Sequence, residues 1–277
     1  MKLFTSSLLA FALSAFACAT VFAVDLQPPQ GSVRVIAHRG ASGYAPENTM
    51  AAFKKAVEMG PDMIEFDVHR TIDGKIVVMH DDATLRTTGV KNSLATMTYD
   101  EVSKLDAGSS FSKDFAGEKV PTLSEVLEFA KGKVQVNIEI KAPGCEEETV
   151  RLINKLGLKE TAIVSSFDHN IIKKIKELDP EIKTGALVGD IGSAKNIDSI
   201  IENCHPDAIN PRYLNVSKSQ VKAAHEKGLA VNVYTVNDAV TMQRLIKAGV
   251  DGIFSNYPDM LKEVVGKMKK PAAKTAE

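Results

Sequence analysis

Hydrophobic residues recur along this chain with two periods, one suited to strands and one to helices, and the two alternate. Val33-Arg-Val-Ile-Ala37 reads as a β-branched strand, after which Met50, Phe53 and Val57 share one helical face as far as Met59. Pro46 suits a first helical position. Asp62-Met-Ile-Glu-Phe-Asp-Val68 alternates strictly, with Glu65 and Asp67 on one side and Ile64, Phe66 and Val68 on the other. Ile72-Asp-Gly74 is a turn signal, and Lys75-Ile-Val-Val-Met79 is the returning arm of a hairpin that brings His80 back near the level of Asp67. Residues 81–120 are polar and turn-rich, with one short helical pattern at 99–105.

From Pro121 the alternation is regular. Helical patterns at 123–130, 146–156, 171–178, 194–202, 218–227, 239–248 and from 259 are interleaved with strands at 134–141, 162–165, 184–188, 208–210, 230–235 and 252–255. Without the hairpin's return arm, eight strands begin near 34, 62, 134, 162, 184, 208, 230 and 252, with gaps of 28, 72, 28, 22, 24, 22 and 22 residues. Alternating strands and helices force a mainly parallel sheet. Eight strands with one outsized gap predict an α/β fold, a (β/α)8 TIM barrel with an insertion (81–120) after its second strand. An open doubly wound sheet is the alternative, but no glycine-rich nucleotide turn supports it.

Composition adjusts this picture at its edges. The 277 residues, 44% hydrophobic and 25% charged, suit one large domain, and a net charge of −1 lacks the basic field of a nucleic-acid binder. In the first 23 residues Lys2 is the only charge, residues 3–17 are mostly apolar, and Val21-Phe-Ala23 resembles a cleavage site. This predicts a signal peptide, a catalytic domain over 24–277 and a secreted, periplasmic protein. No transmembrane span is expected in the mature chain. Cys18 as a lipid-attachment site is disfavoured, because Ala15 stands where a larger aliphatic residue belongs. Cys145 and Cys204 lack metal-ligand spacing, and the barrel places them at opposite rims as free thiols. The stretch 262–277, with five lysines against two glutamates, reads as a solvated end.

The candidate chemistry lies where barrel strands end. His38 and Arg39 close the first strand, Glu65 and Asp67 lie near the end of the second, Glu139 and Lys141 end the third, and the hairpin adds His80 and Asp81. Three carboxylates without thiolates suit one divalent cation, Ca2+ or Mg2+, with open positions for substrate oxygens. Arg39 and Lys141 add positive charge suited to a phosphate, and His38 and His80 can act as general acid and base around it. His69, His169, His205 and His225 fit packing or surface positions, whereas Phe167 and Tyr213 are placed to line the pocket.

The motifs His38-Arg-Gly-Ala-Ser-Gly-Tyr-Ala-Pro-Glu-Asn-Thr49, Glu65-Phe-Asp67, His80-Asp81, Glu139-Ile-Lys141, Tyr234-Thr-Val-Asn-Asp238 and Gly249-Val-Asp-Gly-Ile-Phe-Ser-Asn256 resemble, in this order, the signature of the glycerophosphodiester phosphodiesterase family. The resemblance implies a (β/α)8 barrel with an inserted segment and a metal held by Glu65, Asp67 and Glu139. It also implies an acid/base pair of His38 and His80, with Arg39 and Lys141 on the phosphate. Tyr234, a pocket residue, stands where the family often has Trp. The implied substrates are small glycerophosphodiesters, split into glycerol 3-phosphate and an alcohol. A lysophospholipase D or sphingomyelinase D on a related barrel is the enzymatic rival, disfavoured by the long insertion and the lack of an obvious apolar lip. A non-enzymatic phosphodiester-binding protein is the other. The oligomeric state is left open.

Overall fold

A computed structural model describes residues 32–269. The expected signal peptide, Cys18 and the last residues of the lysine-rich end lie outside them. Nine strands form among the described residues: β1 (Arg34–Ala37), β2 (Met63–Arg70), β3 (Ile76–Val78), β4 (Gln135–Ile140), β5 (Ala162–Ser166), β6 (Lys183–Val188), β7 (Ala208–Pro211), β8 (Ala230–Val233) and β9 (Gly252–Ser255). β1 pairs in parallel with both β2 and β9, so every strand except β3 belongs to a closed eight-stranded parallel barrel. β3 pairs antiparallel with β2, Val68 opposite Val78, and is the expected hairpin arm. Two expected strands stop early: β4 ends at Ile140, leaving Lys141 just past it, and β8 ends at Val233, leaving Tyr234 and Thr235 in the following loop.

The period-two pattern of β2 separates two environments. Ile64, Phe66 and Val68 face outward into a core shared with Phe53, Leu123 and Leu127 of the surrounding helices. Phe53 and Phe66 meet edge to face with ring centroids 5.7 Å apart, and truncating such a buried ring to alanine costs about 3–5 kcal/mol. A second outer core joins Ile209, Val231 and Ile253 to Val221, Met242 and Leu245 across the other half of the barrel. Inside the barrel the packing is mixed. Ile36, Met63, Ile163 and Phe254 form a small apolar plug. Around it Ser165 Oγ donates to Asn137 Oδ1 (2.9 Å) and Asn232 Nδ2 to Asn210 Oδ1 (3.1 Å), while Asn232 Oδ1 is buried without a hydrogen-bond partner. Gly252 makes room for Asn232, whose Oδ1 a Cβ at that position would strike.

The insertion is more structured than its polar composition suggests. Besides the helix Tyr99–Val102 it carries a helical turn at Leu85–Thr88 and 3-10 turns at Leu94–Thr96 and Lys113–Phe115. Leu94, Met97, Val102, Leu105 and Val120 close over Val77 and Met79 of the hairpin to form a separate small core. The segment ends at Thr122, where a capping box with Glu125 starts the helix Leu123–Ala130.

Cys145 precedes the helix Glu146–Leu156 and Cys204 ends the helix Ala194–Cys204. Both are buried free thiols, pushed up to about 12 and about 11 by burial. The native protein should therefore resist a thiol reagent near neutral pH. After denaturation without reductant both cysteines should label. A mass showing an intramolecular bridge would contradict the strand directions.

Candidate active site

Parallel pairing of β2 with β4 sets Asp67 beside Glu139 and Glu65 beside Asn137. One carboxylate oxygen from each of Glu65, Asp67 and Glu139 lies within 4.8 Å of the others, and all three residues are buried. Glu65 Oε1 and Asp67 Oδ1 are shielded from solvent and take part in no hydrogen bond. Carboxyl oxygens without hydrogen-bond partners converging at this separation fit a hard divalent cation.

Two cations and one amide hold the cluster in place. Arg39 adopts a left-handed backbone (φ 54°), which lets its N–H donate to Glu65 Oε2 (2.8 Å). Its side chain lies 3.4 Å from Asp67 Oδ2 and donates to Glu47 Oε1 (2.9 Å). Gly40 follows, also at positive φ (78°), where a Cβ would lie 2.7 Å from the Ala52 backbone carbon. Lys141 Nζ donates to Glu139 Oε1 (2.6 Å) and stands 3.5 Å from Asp67 Oδ1. Asn48, in the residue before the helix cap Thr49, donates its side-chain amide to Asp67 Oδ2 (2.8 Å) and accepts from the Asp67 N–H (3.2 Å).

These contacts divide the charge unequally. Burial works against ionisation of Asp67, but Arg39, Lys141, His80 and the Asn48 amide outweigh it and hold its pKa below the usual carboxylate range. Burial and the neighbouring Asp67 raise Glu139 to about 7, and burial with both neighbouring carboxylates drives Glu65 well above its ordinary value. Burial also opposes the charge on Lys141, yet Glu139 and Asp67 more than compensate and its pKa is raised.

The two histidines approach from different elements. His38 Nδ1 lies 2.7 Å from Asn256 Oδ1, an acceptor only, so the ring proton sits on Nδ1 and Nε2 is left bare. Burial, reinforced by Arg39, lowers its pKa to about 4, so the ring is neutral at pH 7. His80 Nδ1 donates to Asp81 Oδ1 (2.6 Å), which leaves its own Nε2 free. Arg86 holds Asp81 through Oδ2 (2.6 Å), lowering that carboxyl to about 2, and its other nitrogens donate to both oxygens of Glu47. The main chain fixes the level of His80: the Met79 N–H donates to the Asp67 carbonyl (3.0 Å), and His69 Nε2 donates to the His80 carbonyl (3.0 Å). His69 is thus a buried support beneath His80.

A cavity of about 490 Å³ opens over these groups, lined by His38, Arg39, Glu65, His80, Glu139 and Lys141 on one side. Phe167, Tyr213 and Tyr234 line the other side, with Arg212, Leu187 and Phe254. Phe167 and Tyr234 meet edge to face at 5.7 Å, and the Tyr234 hydroxyl donates to the Val188 carbonyl (3.0 Å). Every candidate site residue therefore borders this cavity or, for Asp67, lies within the carboxylate cluster at its floor. Asn48, Glu47, Arg86, Asn256 and Arg212 were not singled out by sequence. Asn48, Glu47 and Asn256 fall inside the quoted motifs, but a polar side chain in a loop does not announce its partner. His169, His205 and His225 lie elsewhere: His169 donates to the Leu187 carbonyl, His205 caps a helix and His225 pairs with Asp251.

Known proteins resemble this chain over most of its length. The profile of the Glycerophosphoryl diester phosphodiesterase family matches residues 38–260. The glycerophosphodiester phosphodiesterase of Caldanaerobacter subterraneus subsp. tengcongensis is 40% identical over 245 residues, covering 84% of this chain and 98% of that protein. The glycerophosphodiester phosphodiesterase of Bacillus subtilis is 34% identical over 252 residues, covering 84% and 86% respectively. A phosphodiesterase of Oleispira antarctica, solved in complex with the product sn-glycerol-3-phosphate, superposes with a TM-score of 0.77 at 31% identity, covering 85% and 97%.

The charge distribution generates a test without turnover. A carboxyl whose folded pKa is raised contributes stability that is full below its unfolded value and is lost as pH rises towards the folded one. For Glu139 that window runs from about 4.5 to about 7, and Glu65 loses stability above the same lower limit. His38, lowered from 6.5 to about 4, adds stability over an overlapping window, so variant and parent are compared at each pH. In chelator, Glu65→Gln should raise Tm by at least about 2 °C at pH 8 and leave it nearly unchanged at pH 4.5. Added Ca2+ or Mg2+ should raise the parent's Tm more at pH 8 than at pH 5.5, since bound protons must leave, and should barely affect the variant. A cation-induced shift equal in both proteins would refute the site.

Proposed function

The chain belongs to the glycerophosphoryl diester phosphodiesterase family, and from that premise we propose a metal-dependent hydrolysis carried out by its own pair of histidines. The substrates are deacylated phospholipids, cleaved to glycerol 3-phosphate and an alcohol such as choline, ethanolamine or glycerol. The bound product of the Oleispira antarctica enzyme supports this assignment. We also propose that the mature protein acts in the periplasm after loss of its first 23 residues, which detection of its activity in an osmotic-shock fraction would test.

The observation that carries this reading is the pair of rings whose Nδ1 atoms are committed to acceptors while both rings border the cavity above the carboxylates. A divalent cation held by Glu65, Asp67 and Glu139 would supply Lewis-acid polarisation of the phosphoryl oxygens. Arg39 and Lys141 add fixed positive charge beside it. His38, neutral with a bare Nε2, takes the proton from the attacking oxygen as the new P–O bond forms. Attack by water gives glycerol 3-phosphate directly, and attack by the substrate's own glycerol hydroxyl gives a cyclic phosphate that a water then opens. His80 gives a proton to the departing alcohol oxygen as the old P–O bond breaks, while Asp81 holds the ring and offsets its charge. Each group is worth about 10²–10⁴-fold in rate.

A second reading, cleavage of acylated lipids, gains support from the mouth of the cavity. Phe167, which lines the cavity just past β5, is 52% exposed, so the rim offers an apolar surface there. Turnover of glycerophosphocholine against lysophosphatidylcholine separates the two readings.

Variants of the two histidines test the division of labour. His38→Ala and His80→Ala should each lose about 10²–10⁴-fold in glycerol 3-phosphate release from glycerophosphocholine, with Tm little changed. With a p-nitrophenyl leaving group, which departs without a proton, His80→Ala should recover most of its rate and His38→Ala should not. Equal recovery by both would overturn the acid and base roles, and near-parental turnover of the natural substrate would remove the residue from the mechanism.

A further inference from the structure

Charge is unevenly placed around the cavity. The titrating groups belong to the sector of β1, β2, β4 and the hairpin, whereas the wall built from the ends of β5 to β9 is uncharged apart from Arg212. Arg212 directly follows β7. Its backbone N–H donates to the Val188 carbonyl (3.1 Å), and it forms an isolated parallel bridge with Tyr234. Its side chain is exposed at the mouth of the cavity, close enough for its charge to act on the Tyr234 phenol.

The other two cations lining the cavity are already engaged: Arg39 with Glu47 and Asp67, Lys141 with Glu139 and Asp67. Among the described residues no carboxylate pairs with Arg212. An unneutralised guanidinium facing an otherwise uncharged wall attracts an anionic group and repels a cationic one. Aromatic rings on the same wall could favour an ammonium instead, but Lys141 Nζ lies 5.8 Å from the centre of the Phe167 ring, which is thus already shared with a cation.

We infer that Arg212 is a specificity-determining residue that favours glycerophosphodiesters whose alcohol arm carries its own negative charge, such as a carboxylate. The inference rests on the phosphodiesterase reading above. With phosphorus over the carboxylate cluster, the alcohol arm runs along the wall of β5 to β9 and its far end meets the guanidinium. An arm ending in a bare ammonium gains nothing there.

Glycerophosphoserine and glycerophosphoethanolamine differ by one carboxylate and make the test direct. Wild-type enzyme should show the higher kcat/KM on glycerophosphoserine. Arg212→Gln should reduce the ratio of the two values by about 3- to 10-fold, mainly through the KM of the serine substrate. Arg212→Lys should keep part of the preference, and 0.5 M NaCl should compress it in wild type but not in Arg212→Gln. An unchanged Tm would show that the variants fold. If both substrates turn over and Arg212→Gln leaves their ratio unchanged, the inference fails while the activity stands. If wild-type enzyme turns over neither, the hydrolase reading itself fails and takes the inference with it.

Discussion

Three carboxyl groups whose oxygens approach within 4.8 Å, in a place where water hardly reaches, repel one another and resist ionisation together. A closed barrel cannot relieve this by opening, since hydrogen bonding on both sides fixes β2 and β4 in register. The chain answers by concentrating its compensation on one member. Asp67 receives Arg39, Lys141 and both bonds of the Asn48 side chain, and it remains the anion of the set. Glu65 and Glu139 hold their protons more tightly. A divalent cation would compete with these protons for the carboxylate oxygens, so the affinity of the cluster for metal rises with pH.

The same constraint explains why the insertion reaches the catalytic rim. From Arg39 a run of short contacts passes through Glu47 to Arg86, on to Asp81 and finally to His80. Arg86 belongs to the short helix Leu85–Thr88 of the insertion, and it joins the loop after β1 to the loop after β3. Its side chain is 47% exposed, and pairs this open to water contribute about 1 kcal/mol or less each. Their value is orientation. Two bonds from the guanidinium to Glu47 and one to Asp81 leave the His80 ring little freedom to turn.

Legibility in the sequence followed the range of the interaction involved. The barrel could be counted from strand spacing, because each strand–helix unit is a local pattern. The carboxylates of β2 and β4 stood out because charge on the inner face of an otherwise apolar strand is abnormal in any fold. Asn48 and Asn256 gave no such signal: a loop asparagine is ordinary, and its partners Asp67 and His38 lie 19 and 218 residues away. Arg212 is harder still, since its interest lies in the lack of a paired carboxylate, which only three-dimensional placement discloses. The small core of the insertion was hidden for another reason. Leu94, Met97, Val102, Leu105 and Val120 are too sparse to set a period and gain meaning only by closing over Val77 and Met79.

β2 also shows how one strand can serve chemistry and stability with little conflict. Its inner residue Glu65 costs folding energy and Asp67 needs Arg39, Lys141 and Asn48 to offset its burial, while its outer residues Ile64, Phe66 and Val68 supply stability through the helix-facing core. The two sets alternate along one backbone, so neither can be shifted by a residue without exchanging them completely. Substitutions on the two faces should therefore differ in kind. On the outer face, loss of volume weakens the barrel and reaches the site only through the backbone. On the inner face, loss of charge at Glu65 relieves the metal-free fold while weakening its hold on a cation, whereas loss of charge at Asp67 strands Arg39 and Lys141. A barrel strand with this division tolerates an unfavourable cluster because the stabilising contacts lie one residue away, on the far side of the same sheet.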